Sequence, residues 1–124
     1  MSEQMQVQAV RVGLNGSPEV IDLGAGESAG AAIRAAIGCR WFDVVRLGPD
    51  LDMWVDDEGA TLADARVNVT ATMIARVHGA IWQPFCGVAV FAAHDGRGAT
   101  VGLSEDVKDA LLSGAILTGT AASR

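Results

Sequence analysis

This sequence predicts an α+β fold: an antiparallel sheet of about five to six strands with two or three short helices on one face. Three observations lead there. Two stretches of alternating apolar and polar residues fold back around turn residues, at Asn15-Gly16-Ser17-Pro18 and at Gly48-Pro49-Asp50. Three short helical patterns each begin near a Ser or Asn and end at a Gly. Gly87 to Ala93 is apolar at nearly every position, which fits a central strand covered on both sides.

In chain order, residues 5 to 14 carry one apolar set at Met5, Val7 and Ala9 and a second at Val10, Val12 and Leu14. Either a strand with a bulge or a strand buried on both faces fits that change of phase. Glu19 to Leu23 returns as the second strand. Gly24 to Ser28 leads into a helix that Ser28 caps and Gly38 stops, with Ala29, Ile33, Ala36 and Ile37 on its inner face.

The stretch Trp41 to Gly59 organises the rest. Phe42, Val44 and Arg46 share one face of a strand, and Asp43, Val45 and Leu47 the other. After the turn, Leu51, Met53 and Val55 alternate with Asp52, Trp54 and Asp56. A two-stranded ribbon is marginal alone, so its apolar face needs a partner layer. Asn68 caps the second helix, where Val69, Met73 and Val77 recur beside Ile74 and Gly79 ends the run. His94 to Gly98 is a loop before a short return strand. Ser104 caps the third helix, with Glu105 and Asp106 in the first turn, where the helix dipole favours them. One domain over residues 1–114, followed by a tail over 115–124, is the natural division.

Composition narrows function. Half of the 124 residues are apolar and the net charge is −6, which fits a globular chain and argues against a polyphosphate partner. The nine basic residues are spread singly, so nucleic acid is not an expected partner. The N-terminus lacks a basic n-region with an apolar run, and no stretch approaches the ~20 apolar residues of a membrane span. The expected location is cytoplasmic, with no membrane association and with Cys39 and Cys86 reduced.

Several groups invite chemistry. Gly24, Gly26 and Ser28 lie between a strand and a helix, where a phosphate-binding turn would sit. The spacing is one residue off the dinucleotide fingerprint, and Glu27 puts a carboxylate where phosphate would go, so a flexible turn with an N-cap is the plainer reading. Asp56, Asp57 and Glu58 lack the alternating spacing of a calcium loop and read as a solvated strand end. With Asp50 and Asp52 nearby, they could instead form a local negative patch suited to a basic partner. Cys86, His94 and Asp95 would make a nucleophile-and-base set only if the fold brought them together. Nothing in the scattered His and Cys makes a zinc spacing, so no metal, cofactor or catalytic residue is assigned. Trp41, Trp54 and Trp82 are each a core anchor or an interface anchor. Trp54 shares its strand face with Asp52 and Asp56: it is either a contact residue or covered by a second layer such as a helix.

The hairpin followed by W-V-D-D-E-G (Trp54 to Gly59), then Asn68, Ala71-Thr72, Ile81-Trp82 and Gly87-Val88-Ala89-Val90, resembles a family of small uncharacterised domains of actinobacteria, their plasmids and phages. The likeness spans Cys39 to Leu103. Val88 stands where that family has an acidic residue, and Pro84 and Cys86 also depart from its pattern. The resemblance implies a phage- or plasmid-type accessory protein and supplies no catalytic residues.

The resulting expectation is a small non-enzymatic binding protein that docks a host protein through Trp54, Asp52, Asp56, Asp57 and Glu58. Two alternatives stand beside it. One is a homo-oligomer holding a nucleotide-like small molecule near Gly24, Gly26 and Ser28; the other is a Cys-dependent enzyme.

Overall fold

The computed structural model describes residues 6–25, 29–58, 65–80 and 83–118. Six strands, β1 (Gln6–Val12), β2 (Pro18–Ala25), β3 (Phe42–Gly48), β4 (Leu51–Asp56), β5 (Ala89–His94) and β6 (Thr100–Val101), form one sheet. Its order is β2-β1-β5-β4-β3, with β6 also pairing β5, and every pairing is antiparallel. The described residues also form three α-helices: α1 (Ala29–Ile37), α2 (Val69–Val77) and α3 (Glu105–Ser113). The α+β expectation holds.

The helices divide between the two sides of the sheet. Helices α2 and α3 share one face, where Val10, Met53, Phe91, Ile74, Leu111 and Ile116 form the larger core. Helix α1 covers the opposite face, packing Ala29 and Ile33 on Val7, Ala9, Val90 and Ala92. The expectation of helices on a single face is thus met by α2 and α3 and corrected for α1. With layers on both sides, the inner strands bury both sets of alternating side chains. β5 is buried from Ala89 to Ala93. The change of phase in β1 has the same cause: Val7 and Ala9 face α1, whereas Val10 and Val12 face α2 and α3.

Local rules set the ends of the elements. Asn68 Oδ1 accepts the Ala71 amide at the start of α2, and Ser104 Oγ accepts the Val107 amide at the start of α3. Gly114 closes α3 in the left-handed region, at φ 85°. The chain then makes one 3-10 turn, Ala115–Thr118, which buries Ile116 in the larger core. The packed unit therefore extends beyond residue 114. Gly16, in the β1–β2 turn, has φ +83°, and a Cβ there would lie 2.8 Å from Thr70 Oγ1 on α2. A side chain at that position meets backbone strain and a neighbour at once.

The α2 stripe reads differently in three dimensions. Ala71, Thr72, Ile74 and Ala75 face the sheet. Val69, Met73 and Val77, the regular apolar series of the sequence, point outward and are 66%, 48% and 40% exposed.

Candidate functional site

The β3–β4 hairpin forms as expected, with a register irregularity between Arg46 and Gly48. Val44 lies opposite Trp54, Arg46 opposite Asp52, and Phe42 opposite Asp56, with the turn at Pro49-Asp50. Pairing between β4 and β5 runs only from Asp52↔Ala92 to Trp54↔Val90. Beyond Trp54 the two strands part, and the space between them is walled by Gln83 to Cys86. That wall is fixed by α2: Asn68 donates its amide to the Phe85 carbonyl at 2.8 Å, and Phe85 donates its amide to Thr72 Oγ1 at 2.9 Å. Val67 and Cys86 form an isolated antiparallel bridge.

The result is an open cleft of about 480 Å3, lined by Asp43, Val44, Val45, Arg46, Val55, Asp56 and Asp57 on the hairpin side and by Gln83, Pro84, Phe85 and Cys86 opposite. Three carboxylates thus border one cleft beside the edge strand β3. Asp56 Oδ1 accepts the Glu58 amide at 2.8 Å, which shapes the acidic corner, and the Asp57 amide donates to the Trp41 carbonyl at 2.9 Å. Trp41 is an exposed indole, 58% accessible, whose backbone is tied to that corner. Cys39 lies nearby: burial, and next the Asp56 carboxylate, push its thiol above its ordinary value, with Arg34 opposing.

The expected contact residues separate into two groups. Asp57 and Glu58 are exposed and Asp56 is half-buried. Asp52 is not part of that surface. It is 1% exposed, with Oδ1 2.9 Å from His94 Nδ1 and Oδ2 3.4 Å from Arg46 Nη1. Its strand face turns inward toward α1 instead of outward to a partner. Trp54 is only half-buried, yet it packs against the α1-side core and meets Phe42 edge-on, with ring centroids 4.9 Å apart. Its buried Nε1 has no hydrogen-bond partner among the described residues. The covering layer weighed for Trp54 is therefore largely present, and Trp41 offers the accessible indole.

The remaining groups do not assemble. Gly24 is the penultimate residue of β2, and its amide is already held by Asp22 Oδ1 at 2.8 Å, so that N–H faces a carboxylate. Gly26 and Ser28 lie outside the described residues, as does Trp82. Cys86 precedes β5 and His94 ends it, so the strand separates thiol from imidazole. Asp95 shapes its own loop: Oδ1 accepts the Arg97 and Ala99 amides at 2.9 and 3.0 Å, which holds its carboxyl below the ordinary range. Among the described residues, no group of three or more His, Cys, Asp or Glu side chains is placed to hold a metal ion. No helix among them is long and apolar enough to cross a membrane.

The family model of a domain of unknown function (DUF3846) matches residues 5–114. The chain belongs to that family. The match takes in the first hairpin and α3 as well as the central hairpin, a longer span than the Cys39-to-Leu103 likeness carried by the short motifs. No curated protein and no solved structure matches the chain. In this DUF3846 domain, the sequence pointed to the acidic corner and to Trp41 as a core or interface anchor, but missed the Asp52–His94 pair. Trp41 precedes the alternating strand, so periodicity gave it no side. Asp52 and His94 meet only because β4 and β5 pair.

Proposed function

We propose that this DUF3846 domain is a small non-enzymatic cytoplasmic binding protein, an accessory of phage or plasmid type in actinobacteria, that docks a host protein. The reading rests on one observation: the exposed Trp41 is tied by a backbone hydrogen bond to the turn bearing Asp56, Asp57 and Glu58, beside a carboxylate-lined cleft. Such a corner suits a segment bearing Lys or Arg. The carboxylates attract the cation, and an indole face adds about 0.5–1 kcal/mol of cation–π attraction at an exposed site. Among the described residues no strand pairs with the outer side of β3, the edge along which an extended chain would lie.

The test is affinity capture from host lysate with the native chain, with Trp41→Ala and with the triple variant Asp56→Asn, Asp57→Asn, Glu58→Gln. One protein retained by the native chain and lost by both variants supports the reading. Identical retention by all three removes it.

The cleft volume also favours a second reading, because 480 Å3 lies in the range of small-molecule pockets. Its three carboxylates outweigh the Arg46 guanidinium that shares the lining, so the cleft would favour a cationic metabolite over a nucleotide. A panel of polyamines and other cationic metabolites tested by thermal shift, with Asp43→Asn as control, separates that reading from protein docking.

A further inference from the structure

The outer face of α2 carries an apolar stripe that takes no part in either core of the described residues. Val69, Met73 and Val77 stand one turn apart and are the exposed large apolar residues of the helix. The surface continues past Thr70 into an open groove of about 210 Å3. Its floor includes Val12, Ile74 and Ile116, and the exposed Leu112 and Leu117 also line it. Isolated surface apolar residues are ordinary, but a continuous patch on a small monomer marks a contact surface.

We infer that this face is covered by a second copy of the chain, with α2 packed antiparallel on α2 about a two-fold axis through Met73. Two observations select that occupant. The first is spacing. Val69 and Val77 are placed symmetrically about Met73, so an antiparallel copy sets Met73 against its own counterpart and each Val69 against the other chain's Val77. This self-complementarity is what an isologous dimer requires. The second is charge. The molecule carries −6, so two copies repel wherever carboxylates face each other, yet α2 contains no Asp or Glu. Its exposed charges are Arg76 and, just ahead of the helix, Arg66. In the antiparallel arrangement the two copies of Arg76 lie about 9 Å apart along the helix axis, at opposite ends of the contact. The contact uses none of the residues of the acidic corner. A nine-residue helix spans about 13 Å, so the interface falls below the standard size and dimerisation is weak and concentration-dependent.

Sedimentation equilibrium from about 10 µM to about 1 mM, at low and high salt, tests the inference. The expected result is a dimer strengthened by salt, weakened at least about tenfold by Met73→Glu and unchanged by Val20→Glu, an exposed β2 position. In a Cys39→Ser, Cys86→Ser background, oxidised Met73→Cys gives a covalent dimer much faster than Val69→Cys. Two copies of residue 69 stand about 12 Å apart along the axis in this register. A monomer throughout that range, a dimer indifferent to Met73→Glu, or equal cross-linking at 69 and 73 overturns it.

Discussion

His94 donates its Nδ1 hydrogen to Asp52 Oδ1 across 2.9 Å, joining strands β5 and β4 through residues 42 positions apart in the chain. Arg46, directly opposite Asp52 on β3, serves the other carboxylate oxygen at 3.4 Å. One buried carboxylate therefore links three neighbouring strands. Asp52→Ala strands two partners that retain some access to water, so the loss is about 2 kcal/mol, less than for a fully buried pair. His94→Ala costs less, because Arg46 remains. In a double-mutant cycle read by urea denaturation, the two changes couple by about 1 kcal/mol. Strict additivity would mean that the pair contributes nothing.

The Asn68 side chain makes three hydrogen bonds from a buried position: Oδ1 accepts the Ala71 amide, and Nδ2 donates to the carbonyls of Val12 and Gly87 at 2.9 and 2.8 Å. It caps α2 and ties it to β1 and to the approach to β5. Asn68→Ala removes the cap and leaves two carbonyls unpaired, a loss of about 3 kcal/mol. Asn68→Asp keeps the cap but aims a carboxylate at the same carbonyls, so it does not rescue stability. Denaturation midpoints of both variants decide the point; a native-like Asn68→Asp would contradict it.

The two indoles make opposite predictions. Trp54→Ala removes a ring packed on Phe42 and on the α1-side core and destabilises by about 2 kcal/mol, scaled down from a fully buried aromatic because Trp54 is only half-buried. Trp41→Ala changes stability by less than about 0.5 kcal/mol, as expected of an exposed site. Paired urea titrations test this directly. Equal losses at the two positions would place Trp41 in the core and remove it from the docking surface.

Two groups set a pH dependence, with opposite signs. Asp95 is held below the ordinary carboxyl range by the Arg97 and Ala99 amides. Its contribution is present above the unfolded value near ~3.9 and fades as pH falls through its lower folded value. Carboxyl NMR should find Asp95 still ionised when exposed carboxylates have protonated. Cys39 is raised, by burial and then by Asp56. Its contribution is present below the unfolded thiol value near ~8.5 and fades as pH rises through the higher folded value. Alkylation at pH 8 should be slower at Cys39 than in a denatured chain, and Asp56→Asn should speed it. Ordinary rates in the native protein would remove the assignment.

What was legible in the sequence were the features governed by local rules. The alternation of Leu51, Met53 and Val55 with Asp52, Trp54 and Asp56 gave the two faces of the return strand, because the side-chain period of a strand is two. Asn68 and Ser104 announced helix starts through the chemistry of single residues. Which side of the sheet a helix takes is a long-range property, and α1 escaped on that ground. In α2 the spacing itself misled. Val69, Met73 and Val77 obey the helical period as well as Ala71, Ile74 and Ala75 do. The true inner face is rich in alanine, which carries little hydrophobic signal yet lets the helix approach closely. The acidic corner was legible as composition, but its division into exposed Asp57 and Glu58 and buried Asp52 depended on what α1 covers.

β5 contributes Phe91 and Ala93 to one core and Val90 and Ala92 to the other. Neither layer can melt while this strand stays in place, so the two cores share one fate in denaturant. The amides of Val90, Phe91 and Ala92 should therefore exchange with solvent deuterium only when the whole molecule opens, and they mark its most slowly exchanging segment.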